Sequence, residues 1–142
     1  MKTRDQEYAS DAVQKVLDVK KNLNDVVERN RYGSMAHQLP ILIRTAGLAQ
    51  ALAFLETRES KGHRQLLEDL AATVGLPGTL PREARTLPLN EYMHLTRQVM
   101  AALLWYKRFA QSILDIKSNV GRDVNVVSVP QTQTSNTEAN KG

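Results

Sequence analysis

Glu91 and His94 stand three residues apart, the spacing that sets a carboxylate and an imidazole on one helical turn in di-iron bundles. Such a centre also needs a second Glu-x-x-His and two further glutamates at matching depth. Neither His37 nor His63 has a glutamate three residues before it, so the ligand set is incomplete and no metal is expected. The three histidines fall on different predicted helices or their ends, with no partner spacing, and read as solvated or hydrogen-bonded surface side chains. Glu68 and Asp69 are adjacent on a polar helix face, where solvation is the ordinary role of such a pair. The chain has no glycine-rich phosphate loop, no G-x-S-x-G elbow and no H-E-x-x-H pair. No catalytic residue and no cofactor is expected; the chain does not read as an enzyme.

The basic side chains offer a different chemistry, the holding of phosphates. Arg58, Lys61 and Arg64 cluster where one predicted helix hands over to the next. Arg97 and Arg108 lie eleven residues, or three turns, apart on one edge of the last predicted helix, with Lys107 on its flank. Arg44 interrupts an apolar run, where an unpaired charge would be expensive, so it must either pair with an acid of the first helix or reach out to a phosphate. No aromatic–glycine motif that reads bases accompanies these residues, and any contact would follow the backbone of a nucleic acid. The net charge of +4 and a pI near 9.5 are compatible with such contact without requiring it. Trp105 and Phe109 form a large aromatic stripe that is either core or an anchor for a neighbouring subunit.

Four helices should position these groups. The first runs from Arg4 to about Asn30, started by a Thr3–Gln6 capping box, with Ala9, Ala12, Val16, Val19, Leu23 and Val26 as its apolar stripe. The second, capped by Ser34 and reaching about Glu59, carries the chain's most apolar run, Leu39 to Leu55. Being apolar nearly all round, it should be the central helix, buried on nearly all sides, with a kink or short break near Gln38 because Pro40 follows. Gly47 suggests close packing of another backbone. Ser60 caps a third helix that stops at Gly75. A loop over residues 75–88 carries at most one helical turn at Arg82–Arg85, and a fourth helix runs from Asn90 to about Asn119.

The expected fold is all-α: one compact bundle of four to six helices over residues 1–120, with a kinked, buried second helix, followed by a disordered polar tail over 121–142. A chain of 142 residues suits one domain. It has no cysteine, which excludes disulfides and thiolate metal sites and makes a reducing compartment the default. The N-terminus is charged, without the apolar stretch of a signal peptide, and the longest apolar run is interrupted by Arg44 and Gln50. A cytoplasmic protein without membrane contact is expected.

Tyr32, then Leu39-Pro40-x-Leu42-Ile43-Arg44, then Gly47-Leu48-x-Gln50-x-Leu52-Ala53-Phe54-Leu55, resembles the signature of the small subunit of type III-B CRISPR–Cas (Cmr) effector complexes. The likeness spans roughly residues 4–118, with Ala46 where many relatives have asparagine before the glycine. The resemblance implies a non-catalytic subunit in antiviral defence that stacks with copies of itself in a minor filament, beside the backbone and large subunits. It would contact guide RNA and target RNA, while nuclease and cyclic oligoadenylate chemistry belongs to those other subunits. Arg44, Arg58, Lys61, Arg64, Arg97, Lys107 and Arg108 are the candidate RNA contacts, and Trp105 and Phe109 the candidate subunit contacts. The alternative is a helical oligomerising adaptor with no nucleic-acid role.

Overall fold

A computed structural model of the chain describes residues 1–116. They form six helices and no strand: α1 (Arg4–Asn22), α2 (Val26–Ala46), α3 (Leu48–Thr57), α4 (Lys61–Val74), α5 (Leu80–Thr86) and α6 (Leu89–Ile113). The expected tail lies outside the described residues. The start of α1 is as the sequence implies. Thr3 Oγ1 accepts from the Gln6 N–H at 3.1 Å, and the Gln6 side chain accepts from the Thr3 N–H at 2.8 Å. Asp5 and Glu7 in its first turn and Lys20 and Lys21 in its last oppose the helix dipole.

That first helix ends eight residues early. Asp25 caps a new helix by accepting from the Val27 N–H at 2.9 Å, and Asn24 beside it also favours turns over helix interiors. Val26, expected on the buried stripe, is therefore exposed, as is Val27 beside it. Ser34 is an interior residue of α2 and caps nothing. The helix continues through Pro40, and the break falls at Gly47, where φ of +90° is a conformation open chiefly to glycine. Gly47 thus turns the chain between α2 and α3, and does not admit a second backbone as expected. Ile41 and Phe54 are exposed, so the apolar run is one-sided.

Ser60 and Gly75 cap α4 as expected, the serine accepting from the His63 N–H and the glycine adopting the left-handed conformation. The segment expected as loop contains two turns of helix, α5, which buries Leu80, Pro81 and Ala84. Pro88, not Asn90, precedes α6, and the helix ends at Ile113, before the expected Asn119. Asp115 then takes a positive φ, and Ile116 folds back onto Gly33 of α2.

The hub of the bundle is α4, which packs against all five other helices. Its crossing with α2 brings two backbones into direct contact. A Cβ built on Gly62 would lie 2.1 Å from the Glu28 carbonyl oxygen and 2.9 Å from the Tyr32 nitrogen, so only glycine fits. Two polar ties flank this contact. The Glu28 carboxylate accepts from the Ser60 hydroxyl at 2.7 Å and the Gly62 N–H at 2.9 Å, closing the N-terminus of α4 from a neighbouring helix. One helical turn along, the Tyr32 hydroxyl donates to the buried Asp69 carboxylate at 2.6 Å. Gln65 donates to the other Asp69 oxygen at 2.9 Å, and Tyr106 of α6 donates to the Asp69 carbonyl at 3.2 Å. Thr73 joins Tyr106 at 2.7 Å and donates to Asp11 of α1. Four helices therefore meet in one polar chain, surrounded by an apolar core that includes Val16, Leu39, Leu66, Leu70, Val99 and Leu103.

Gly62→Ala should lower stability by about 2–3 kcal/mol, because backbone on both sides must move to admit one methyl. Urea unfolding measures this, and Gly33→Ala should cost less because the obstacle there is the Ile116 side chain. Burial raises the Asp69 carboxyl to about 6, against the pull of its bonds from Tyr32 and Gln65. The folded state therefore holds a proton that the unfolded chain releases near pH 4. The corresponding stabilisation, roughly 3 kcal/mol, is complete below pH 4 and disappears as pH rises through 6. Asp69→Asn, which keeps an acceptor for Tyr32, should flatten that fall in a pH series of urea midpoints.

Candidate nucleic-acid interface

The seven candidate cations occupy three places. Arg44 lies in the last turn of α2 and is exposed; the salt bridge to α1 that burial would have demanded is not formed. Among the described residues the ion pairs are Lys15–Asp11, Arg31–Glu28 and Arg85–Glu56, so none of the seven is neutralised in this way.

The second place is the junction of α2, α3 and α4. Arg58 caps the end of α3, its guanidinium 5.2 Å from the centre of the Phe54 ring. Lys61 and Arg64 project from the first turn of α4, both exposed. Arg31 adjoins them through its 2.8 Å pair with Glu28. Sequence reading passed over Arg31 because its partner at the junction comes from the fold. Glu28 is held below the usual carboxylate range, first by the Gly62 N–H and then by the Ser60 hydroxyl and the Arg31 charge. The positive end of α4 is thus already occupied by a carboxylate. A phosphate here would meet side-chain cations and not the helix terminus.

His63 registers the same local field. It is buried, contrary to the surface role expected of it, and its pKa is lowered, first by burial and then by the charges of Arg58 and Arg31. His37 is buried too, its Nδ1 donating to the Gly33 carbonyl at 3.1 Å; His94 alone is exposed. No three histidine, aspartate or glutamate side chains converge on a metal-sized site among the described residues. Arg58 and Arg64 also line an open groove of about 730 Å³ between α3, α4 and the start of α5.

The third place is α6. Arg97 and Arg108 are exposed and Lys107 is half-buried. Trp105 and Phe109 stack with ring centres 5.9 Å apart, and the Trp105 indole N–H donates to the Asp5 carboxylate of α1 at 3.0 Å. Both rings are half-buried, and the Trp105 hydrogen bond ties α6 to the first turn of α1. Arg108 lies 6.0 Å from the Trp105 ring centre. The more exposed apolar side chains of α6 are Leu89, Met93 and Leu104, which the sequence reading did not single out. They share a stripe with Arg97 at helical spacing, and that spacing was the available signal. One further basic corner was missed: Arg29 donates to the Lys20 carbonyl at 3.5 Å, drawing it toward the Lys20–Lys21 end of α1. No helix among the described residues is long and apolar enough to cross a membrane.

Residues 4–113, the span from the first residue of α1 to the last of α6, match the family model of a CRISPR-associated protein, Cas_Cmr5. The CRISPR system Cmr subunit Cmr5 of Thermus thermophilus is 42% identical over 117 residues, covering 81% of this chain and 99% of that protein. The crystal structure of a Cmr5 family protein from Thermus thermophilus superposes with a TM-score of 0.72 at 42% identity, covering 80% of this chain and 99% of that one. A family model spanning the whole six-helix body, and a relative matched almost end to end, leave one assignment: the chain belongs to the Cmr5 family, the small subunits of type III-B CRISPR Cmr complexes.

Proposed function

We propose that this chain is a non-catalytic small subunit that stacks with copies of itself in the minor filament of a Cmr complex, in the cytoplasm. There it adjoins the backbone and large subunits and lends phosphate contacts to the guide–target RNA during antiviral defence. The observation that carries the RNA contact is the α2–α3–α4 junction, where exposed Lys61 and Arg64 of the first turn of α4 stand with Arg58 beside the Arg31–Glu28 pair. Three of these cations have no acidic partner among the described residues, and the helix dipole is already answered. Their charge is therefore free for an external anion. Arg44, Arg97, Lys107 and Arg108 form secondary contacts on the same reading. Exposed side chains of this kind follow a phosphate backbone irrespective of base identity, which suits a subunit that must accept any target sequence.

The alternative, an adaptor with no RNA role, draws on Leu89, Met93 and Leu104, whose exposure on α6 suits a protein neighbour. The two readings separate in a reconstituted Cmr particle carrying Arg58→Glu, Lys61→Glu and Arg64→Glu together. Target-RNA affinity should fall by about tenfold or more, and the logarithmic salt dependence should become shallower by roughly 2, about 0.7 for each lost contact. Unchanged affinity and slope, with the particle still assembled, would remove the junction from the RNA path. Reversal of Leu89, Met93 and Leu104 to aspartate should instead impair incorporation of the subunit.

A further inference from the structure

We propose that Phe54 and Arg58 form a stacking site for one unpaired base of the RNA, an inference that rests on the RNA role proposed above. The chain has one tryptophan, four tyrosines and two phenylalanines, and among them Phe54 alone is exposed, at 43%. Tyr92, Trp105 and Phe109 are half-buried against the core, and Tyr8, Tyr32 and Tyr106 are buried in it. Phe54 stands in the last turn of α3, four residues before Arg58, so the two side chains share a face. The guanidinium carbon lies 5.2 Å from the ring centre. Arg58 is in no ion pair among the described residues. The backbone beneath the pair is tied: the Arg58 N–H donates to the Leu55 carbonyl at 3.1 Å, and the Thr57 hydroxyl donates to the Phe54 carbonyl at 2.9 Å.

An aromatic face and a guanidinium plane are the two surfaces on which proteins stack splayed-out bases. The stack takes any base, because every base has a π-face, and so it agrees with contacts that follow the RNA irrespective of sequence. A base inside a duplex has both faces covered by its neighbours, so the ligand is an unpaired one. The other arginine–aromatic pair, Arg108 and Trp105 at 6.0 Å, does not offer the same surface, since its ring is half-buried and its indole is held by Asp5. Charge favours the same occupant. Glu56 is held by Arg85 at 3.0 Å and Glu28 by Arg31 at 2.8 Å. With Glu59 and Glu68 both set against Arg58, Lys61 and Arg64, one positive charge remains for the phosphates that flank a stacked base. An apolar protein side chain laid on Phe54 would instead desolvate Arg58 without pairing it.

The test uses the reconstituted Cmr particle and a target RNA carrying iodouridine in place of uridine, which cross-links on irradiation to a ring stacked on it. Irradiation should join the RNA to the peptide that holds Phe54, and Phe54→Leu, which keeps an apolar side chain at this exposed position, should remove that product. Phe54→Leu should also weaken target binding by about fivefold or more, with the logarithmic salt dependence unchanged, because stacking releases no counterions. Phe54→Tyr and Phe54→Trp should restore both readouts. Absence of the cross-link, or full affinity in Phe54→Leu, would overturn the stacking site. So would failure of Phe54→Leu to enter the particle when RNA is withheld, which would give the ring to a protein neighbour. The joint reversal of Arg58, Lys61 and Arg64 keeps the two readings apart. If that variant loses affinity and salt slope while Phe54→Leu does not, the phosphate contacts stand and only the stack falls.

Discussion

The crossing of α2 over α4 is the contact that the other helices depend on. At Gly62 two backbones meet with no side chain between them, and the polar ties on either side of that point need this closeness. Glu28 reaches the N-terminus of α4 only because the helices touch there, and Tyr32 reaches Asp69 one turn further along for the same reason. Asp69 and Thr73 then carry the connection to α6 and α1 through Tyr106 and Asp11. Dispersion and apolar burial supply most of the attraction in such a bundle, but they are indifferent to the exact register of two helices. The hydrogen-bonded chain is not, and a buried carboxylate out of register would stand unsatisfied.

The surface shows a division of labour that follows from this core. Two helix N-termini are closed by side chains of other helices: Glu28 serves α4, and the Tyr92 hydroxyl accepts from the Ala49 N–H in the first turn of α3. Positive charge available to a partner is accordingly held on long, mobile-ended arginine and lysine side chains. Those at the α2–α3–α4 junction lie near His63, whose pKa is lowered by its burial and then by the charges of Arg58 and Arg31. On α6 the situation differs. Its Trp105 indole is tied to Asp5 of α1, and its exposed face mixes apolar and cationic residues.

Much of this architecture was legible in the residue pattern, wherever a local interaction decides the outcome. The Thr3–Gln6 box, the Ser60 cap and the Gly75 stop each need only neighbours within four residues, and each appears as read. The failures share one cause, competition with partners remote in sequence or between two plausible breakers. The α1 stripe continued smoothly into Val26, yet Asp25 ended it by capping a new helix. Pro40 does not interrupt α2, and the chain breaks instead at Gly47, whose positive φ a helix cannot contain. The close-packing glycine was sought at Gly47 and lies at Gly62, where its obstacle is a backbone 34 residues away. Arg44 was read as charged within a buried helix, but the apolar run is one-sided and Arg44 is on the wet side. Of the candidate interface, the Arg58–Lys61–Arg64 grouping was visible because the residues are near in sequence, and Arg31 was not.

Trp105 gives this molecule a built-in spectroscopic reporter. It is the chain's single tryptophan, and its indole bridges α6 to the first turn of α1 through Asp5. Emission from the native protein therefore senses one seam alone, the docking of the N-terminal helix, and is blind to the α2–α4 crossing. Fraying of α1 would shift that emission while circular dichroism still recorded five intact helices.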